Sequence, residues 1–100
     1  MTLSEQDNGR TVEIDAGDLL TICLKENRST GHRWAVEEDG GLELISDDFQ
    51  GGAAMGSSGL RRLEFRAAES GSHELRLKYW QQFAGDESVA QRFAATVKTS

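Results

Sequence analysis

Two histidines, one cysteine and seventeen carboxylates are the side chains that could carry acid–base, nucleophilic or metal chemistry in this chain. His32 and His73 lie far apart, with no Cys or carboxylate at metal-ligand spacing, so no metal site is expected. Cys23 has no base nearby and falls on the polar phase of a strand, which reads as a half-exposed filler thiol. A lone cysteine also excludes an internal disulfide. Asp47-Asp48 and Glu37-Glu38-Asp39 fall in turn regions, where solubility explains them. A catalytic pair would want one carboxylate in an apolar pocket. Ser57-Ser58 lacks the context of a nucleophile elbow. The glycines of Gly51 to Gly59 are followed by no P-loop lysine and no helix start. Neither an enzyme nor a cofactor is expected. What remains is recognition chemistry, concentrated in Asn27-Arg28-Ser29-Thr30-Gly31-His32-Arg33-Trp34. This polar, turn-forming stretch is held between two alternating runs, and loops mounted this way are where binding function usually sits.

The elements that hold it are strands. Leu20, Ile22 and Leu24 point one way, and Thr21, Cys23 and Lys25 the other. Trp34 and Val36 resume the apolar face after the loop. Alternation of period two marks a half-buried strand. Val12 and Ile14 give a first strand, with a turn over Asp15 to Asp18. Leu19 to Lys25 is a second strand and His32 to Glu38 a third. A turn follows, then a fourth strand over Leu42 to Ser46 that extends towards Phe49. Arg61 to Ala67 and Ser72 to Trp80 alternate most clearly. They read as an antiparallel pair turning at Glu69 to Gly71, with Arg62 or Arg66 opposite Glu74. Val89, Phe93 and Val97 fit helical spacing, while Phe93, Ala95 and Val97 also alternate, so pattern alone leaves the last segment open. His73 reads as a turn cap and Trp34 as a core residue at the loop base.

The length of 100 residues gives one domain, residues 1–100, with residues 1–9 expected as a flexible tail. Proline is absent. Turns must then use Gly, Asn, Asp and Ser, and glycines about every ten residues suit short strands in a sandwich or barrel. The net charge of −6, without a basic block, argues against nucleic acid. No apolar run reaches the roughly 20 residues that span a bilayer, so no membrane partner is expected. The polar N-terminus carries no signal-peptide core. The chain as written reads as cytoplasmic, or as periplasmic or secreted if a leader was removed.

Asn27, Thr30, Gly31 and Trp34 form the pattern Asn-x-x-Thr-Gly-x-x-Trp. It resembles the first loop of the chagasin family, inhibitors of papain-like cysteine peptidases, whose usual form is Asn-Pro-Thr-Thr-Gly. Arg28 stands where proline is usual. Gly56-Ser57-Ser58-Gly59 falls where the family carries a Gly-rich loop and keeps its outer glycines. Trp80-Gln81-Gln82-Phe83 aligns with the third loop, and Gln81-Gln82-Phe83 replaces Arg-Pro-Trp. The resemblance runs from about Val12 to Lys98.

That resemblance implies an all-β, immunoglobulin-like antiparallel sandwich of about seven to eight strands, closed by a final strand after a long loop. It implies a monomeric inhibitor that plugs the active-site cleft of a papain-like cysteine peptidase with three loops. Asn27, Arg28, Ser29, Thr30 and Gly31 would form the first loop and Gly56, Ser57, Ser58 and Gly59 the second. Trp80, Gln81, Gln82 and Phe83 would form the third, with Phe83 or Trp80 as its aromatic anchor. The alternative is a non-inhibitory immunoglobulin-like recognition module that keeps the fold without that use.

Overall fold

The computed structural model describes residues 1–51 and 59–100. Among these residues eight strands form: β1 Thr2–Leu3, β2 Arg10–Ile14, β3 Leu19–Glu26, β4 Arg33–Glu38, β5 Glu43–Gln50, β6 Gly59–Arg66, β7 Gly71–Trp80 and β8 Gln91–Thr99. They build two four-stranded sheets, ordered β1-β3-β6-β5 and β2-β8-β7-β4. The pairing is antiparallel except for β1 on β3 and β2 on β8, which are parallel.

Alternation makes the sandwich. Along β3, Leu20, Ile22 and Leu24 are fully buried, as are Phe65 and nearly so Leu63 on β6. In the other sheet, Leu75 pairs with Ala95 and Leu77 with Phe93 across β7 and β8. These inward rows meet in one apolar cluster that also takes in Trp34 and Val97. Burying each large side chain contributes about 1.5–3 kcal/mol. The outward rows carry most of the charges; Glu26 and Arg61, near strand ends on the inward rows, are the exceptions. The ambiguous C-terminal segment is a strand, because Phe93, Ala95 and Val97 all face the core.

Two expectations are corrected. The Arg61–Ala67 and Ser72–Trp80 segments do not pair. β6 lies between β3 and β5, whereas β7 lies between β4 and β8 in the opposite sheet. Ala67 is fully buried and its carbonyl accepts from Gly17 N–H at 2.8 Å, so the chain is drawn into the core before it crosses between sheets. Consequently Arg66 pairs with Glu43 at 2.8 Å and Arg62 with Glu64 at 3.0 Å, not with Glu74.

The first nine residues are not a loose tail. β1 adds an edge to β3, and Leu3 is 2% exposed in the core. A 3-10 turn over Glu5–Asp7 follows. Asp7 accepts from Ser4 N–H at 2.9 Å and from Arg10 at 2.8 Å. Glu5 accepts from Lys25 N–H at 2.5 Å.

The topology sorts the connections into two ends. β3 ends at Glu26 opposite Gly59, where β6 begins, and Gln50 pairs with Leu60. Arg33, at the start of β4, lies opposite Trp80 at the end of β7. The β3–β4, β5–β6 and β7–β8 connections therefore leave from the same end. At the other end His73 is buried, with its ring nitrogens 2.9 Å and 3.1 Å from the carbonyls of Gly40 and Glu69. It ties two turns together rather than capping one.

Two outcomes test the N-terminal anchor. Leu3→Ala should cost about 2 kcal/mol or more, read as a lower urea midpoint, whereas a flexible tail would give no shift. The Ser4 amide, and then Arg10, hold the Asp7 carboxyl below its ordinary value. A depressed folded-state value means stabilisation present above the unfolded value and lost as pH falls through the folded one. Asp7→Asn should accordingly flatten the acid limb of stability below about pH 4.

Candidate functional site

The Asn27 loop is built by its own side chains. Arg28–Thr30 form a 3-10 turn, and Gly31 closes it at φ 80°. That left-handed geometry costs a residue with a β-carbon about 1–2 kcal/mol, which is why the turn closes on glycine. Asn27 Oδ1 accepts from the Ser29 N–H at 3.1 Å and the Ser29 hydroxyl at 2.6 Å. Thr30 Oγ1 donates to the Asn27 carbonyl at 3.0 Å, and the Gly31 N–H donates to the Arg28 carbonyl, also at 3.0 Å. The Asn27 backbone is held in turn by Tyr79. Asn27 N–H donates to the phenol oxygen at 2.8 Å, and the phenol donates to the Asn27 carbonyl at 3.3 Å.

The third loop leans on the first. Gln81 Nε2 donates to the Thr30 carbonyl at 2.8 Å. A β-carbon at Gly31 would stand 3.2 Å from the Phe83 ring, so the ring covers the glycine. Phe83 is nonetheless 81% exposed, the most exposed large apolar side chain described. Ser88 accepts from Gln81 N–H at 2.8 Å and fixes the loop's own shape. Gln82 is exposed beside Phe83 in another 3-10 turn, Gln82–Ala84. Trp80 is half-buried on the outward phase of β7, with Lys78 Nζ 3.6 Å over its ring and paired to Asp86 at 3.0 Å.

The expected second-loop residues Gly56, Ser57 and Ser58 lie outside the described residues. Gly59 is buried at the strand base, where a β-carbon would run into the Gln50 carbonyl and the Phe49 ring. Its role is close packing. Trp34 is 3% exposed at the loop base, and its indole N–H donates to the Lys25 carbonyl at 2.9 Å.

Glu26 and Tyr79 are absent from the residues expected at this site. Glu26 is fully buried. Its carboxylate accepts from the Trp34 N–H at 2.6 Å, Arg28 Nε at 2.8 Å and Arg61 Nη1 at 3.0 Å. Arg61 is also paired to Asp47. Above all, that hydrogen bond, aided by the nearby carboxylate charges, raises the guanidinium above its ordinary range and keeps it charged. The guanidinium of Arg28 lies 3.8 Å over the Phe49 ring. The signal for Glu26 is its phase: it continues the apolar row Leu20, Ile22, Leu24, and Arg61 continues Phe65, Leu63. Opposite charges on two inward rows point to a buried pair.

His32 Nδ1 lies 2.9 Å from Thr30 Oγ1. Among the described residues no carboxylate orients that ring, and the hydroxyl is already bonded to the Asn27 carbonyl. Among the described residues no group of three or more His, Cys, Asp or Glu is placed to hold a metal.

The described residues give a β-sandwich with an internally bonded loop end, an architecture suited to binding. Residues 13–97 match the Chagasin family peptidase inhibitor I42. The chain belongs to that family, and it is an inhibitor rather than an enzyme. Amoebiasin-1 of Entamoeba histolytica is 28% identical over 95 residues, covering 88% of this chain and 92% of the relative. Chagasin of Trypanosoma cruzi is 22% identical over 108 residues, covering 98% and 96%. Two solved structures share the fold. The cysteine protease inhibitor EhICP2 from Entamoeba histolytica superposes with TM-score 0.89 at 21% identity, over 99% of this chain and 94% of that one. PbICP-C, solved in complex with falcipain-2, superposes with TM-score 0.72 at 13% identity, over 100% and 90%.

Gly31→Ala tests the contact between the loops. It should cost about 1 kcal/mol in stability from the left-handed backbone and displace the Phe83 ring. A changed environment for Phe83 ring protons in NMR spectra, with the core methyl signals unmoved, is the expected result.

Proposed function

We propose that the end bearing Asn27–Gly31 and Gln81–Phe83 enters the active-site cleft of a papain-like cysteine peptidase and blocks it reversibly. The chain is a protein inhibitor of that peptidase class, and the carrying observation is the junction of two loops from opposite ends of the sequence. The Gln81–Thr30 hydrogen bond and the Phe83 ring against Gly31 make one continuous edge. The structural neighbour PbICP-C was solved in complex with falcipain-2, which supports a peptidase as the partner.

The geometry explains how a peptide can occupy a peptidase without being consumed. Attack needs a scissile carbonyl held about 3–3.5 Å from the nucleophile in an aligned conformation. Here the tip is a 3-10 turn closed by Asn27, Thr30 and the Gly31 amide. It cannot extend across the nucleophile without breaking those bonds. Because the turn is already ordered, docking loses little loop entropy. Thr30 and Gly31 form the leading tip, with Arg28 and Ser29 on its flank and Asn27 shaping it from beneath. Phe83 is the anchor of the third loop, Gln82 its neighbour at the rim, and Trp80 the flank. Gln81 acts through its bond to Thr30. Gly56, Ser57 and Ser58 are assigned to the remaining contact by their order in the chain, while Gly59 packs at the base of that loop.

Titration of papain-like peptidases should give competitive, reversible inhibition. Thr30 is exposed, so Thr30→Trp, which loses the hydroxyl bond to the Asn27 carbonyl, should keep the melting temperature within a few degrees of the wild type while potency falls by about 100-fold or more. That corresponds to roughly 3 kcal/mol. Phe83→Ala should lose about 30-fold, the scale of one hot-spot aromatic. Absence of inhibition across the panel at high micromolar protein would overturn the proposal. A Thr30→Trp protein as potent as the wild type would move the interface elsewhere, to a recognition module of another kind.

A further inference from the structure

The fold alone does not explain why a carboxylate is buried at the root of the docking edge. Glu26 is the last residue of β3, in one sheet. It accepts from the backbone of Trp34 on β4, in the other sheet, and from Arg61 on β6, the strand beside its own. Its third donor, Arg28, belongs to the tip. One side chain therefore meets both stems of the Asn27 loop, the loop itself and the strand that starts at Gly59. The bonds made by Asn27 are of a different kind. They stay within residues 27–31 or run to Tyr79, and they give the tip its shape.

We propose that Glu26 is a positioning residue for inhibition. Through Arg28, Trp34 and Arg61 it fixes the pose of the whole tip on the sandwich, and Arg28 thereby supplies the stiffness that a ring-constrained residue would give at that position. This rests on the docking reading above. The separation of roles follows from the contacts. The stems belong to different sheets, and Tyr79 and Gln81 already tether the turn from the sheet of β4. Glu26 adds a restraint of another kind, because it bonds the turn, the far stem and β6 at once. Arg28 suits the task because its guanidinium is flat and forked. It donates to Glu26 through Nε while its face lies on Phe49, next to Gln50 at the end of β5. A guanidinium over an aromatic face is attracted by the ring quadrupole. The tip is thus gripped from beneath by charge and from the side by stacking.

Arg28→Ala, Arg28→Lys and Glu26→Gln separate this from a purely structural role. The first measurement is the association and dissociation rate with the most strongly inhibited peptidase of the panel, and the second is amide hydrogen exchange in the free protein. Arg28→Ala should raise the dissociation rate about 10-fold at nearly unchanged association rate, since most interface effects appear in dissociation. Its melting temperature should stay within a few degrees of the wild type. Exchange at Ser29 and Gly31 should quicken while exchange at Leu20, Ile22 and Leu77 stays fixed. Arg28→Lys should recover part of the loss, because the ammonium reaches Glu26 but does not lie flat on Phe49. Glu26→Gln, which takes the counter-charge from Arg28 and leaves Arg61 with Asp47 alone, should lose more than Arg28→Ala. If Glu26→Gln does not fold, the two Arg28 variants decide. An Arg28→Ala protein with wild-type dissociation overturns the proposal, and so does one whose tip amides exchange as before. If wild-type protein binds none of the panel, the docking reading fails instead, and the exchange rates alone judge the clamp.

Discussion

A charge removed from water must find partners within the protein, and the loop end of this molecule is organised around that requirement. The Glu26 carboxylate has no solvent exposure and meets its need with one backbone amide and two guanidinium groups. Desolvating an ion pair costs several kcal/mol per ion, so such a pair adds little net stability over a well-packed apolar cluster. Breaking one costs about 3–5 kcal/mol, because the remaining charge is stranded. What the arrangement contributes is definition of geometry. The two sheets cannot part at this end, and the Asn27 loop cannot lift, without leaving the carboxylate unpaired. The other bonds of the region complete that frame. Trp34 reaches back to the Lys25 carbonyl, and Tyr79 grips Asn27 from the opposite sheet.

Period-two alternation located β3, β4, β6 and β7 well, because each has one face on a common core. It says which face is buried and nothing about which strand lies alongside. β6 and β7 carry matching patterns on either side of a short turn, which suits a hairpin as well as two strands stacked across a sandwich. The difference lies in Ala67, a small residue whose burial takes the chain between the layers. The N-terminal residues failed for another reason. Their sequence is polar, with Leu3 as the one core residue, and they are held by partners as remote as Thr21 and Lys25. Order of that kind comes from non-local pairing, which local pattern does not encode.

The site was legible in proportion to how local its chemistry is. Asn27 to Gly31 announces itself, since side chain, backbone and left-handed glycine all act within five residues. The meeting with Gln81 and Phe83 was reached through family resemblance and register. Gln81, expected to face a peptidase, spends its amide on the Thr30 carbonyl. Gly59, expected at the surface, is buried because Phe49 and Gln50 pack where its side chain would be. Glu26 was passed over because an acid at a strand end usually marks the edge of solvent. Only its agreement in phase with Leu24, together with Arg61 in phase with Leu63, separates a buried pair from a solvated one.

These features make an inhibitor from a fold that catalyses nothing. Fixing a backbone residue costs about 1–2 kcal/mol of conformational entropy. A loop of five residues that ordered only on docking would lose much of the affinity its contacts supply. In this chain that ordering happens on folding, and it is sustained by Asn27 within the turn, Tyr79 beneath it and Glu26 at its root. Arg28, in place of a ring-locked residue, leaves φ free by itself. The tether to Glu26 and the stacking on Phe49 supply the restraint from outside the backbone. The same restraint keeps the turn from relaxing into an extended substrate. On the proposed docking, a peptidase that accepts this edge meets a turn already ordered, not an extended peptide ready to cut. Binding without turnover is thus a consequence of the same rigidity.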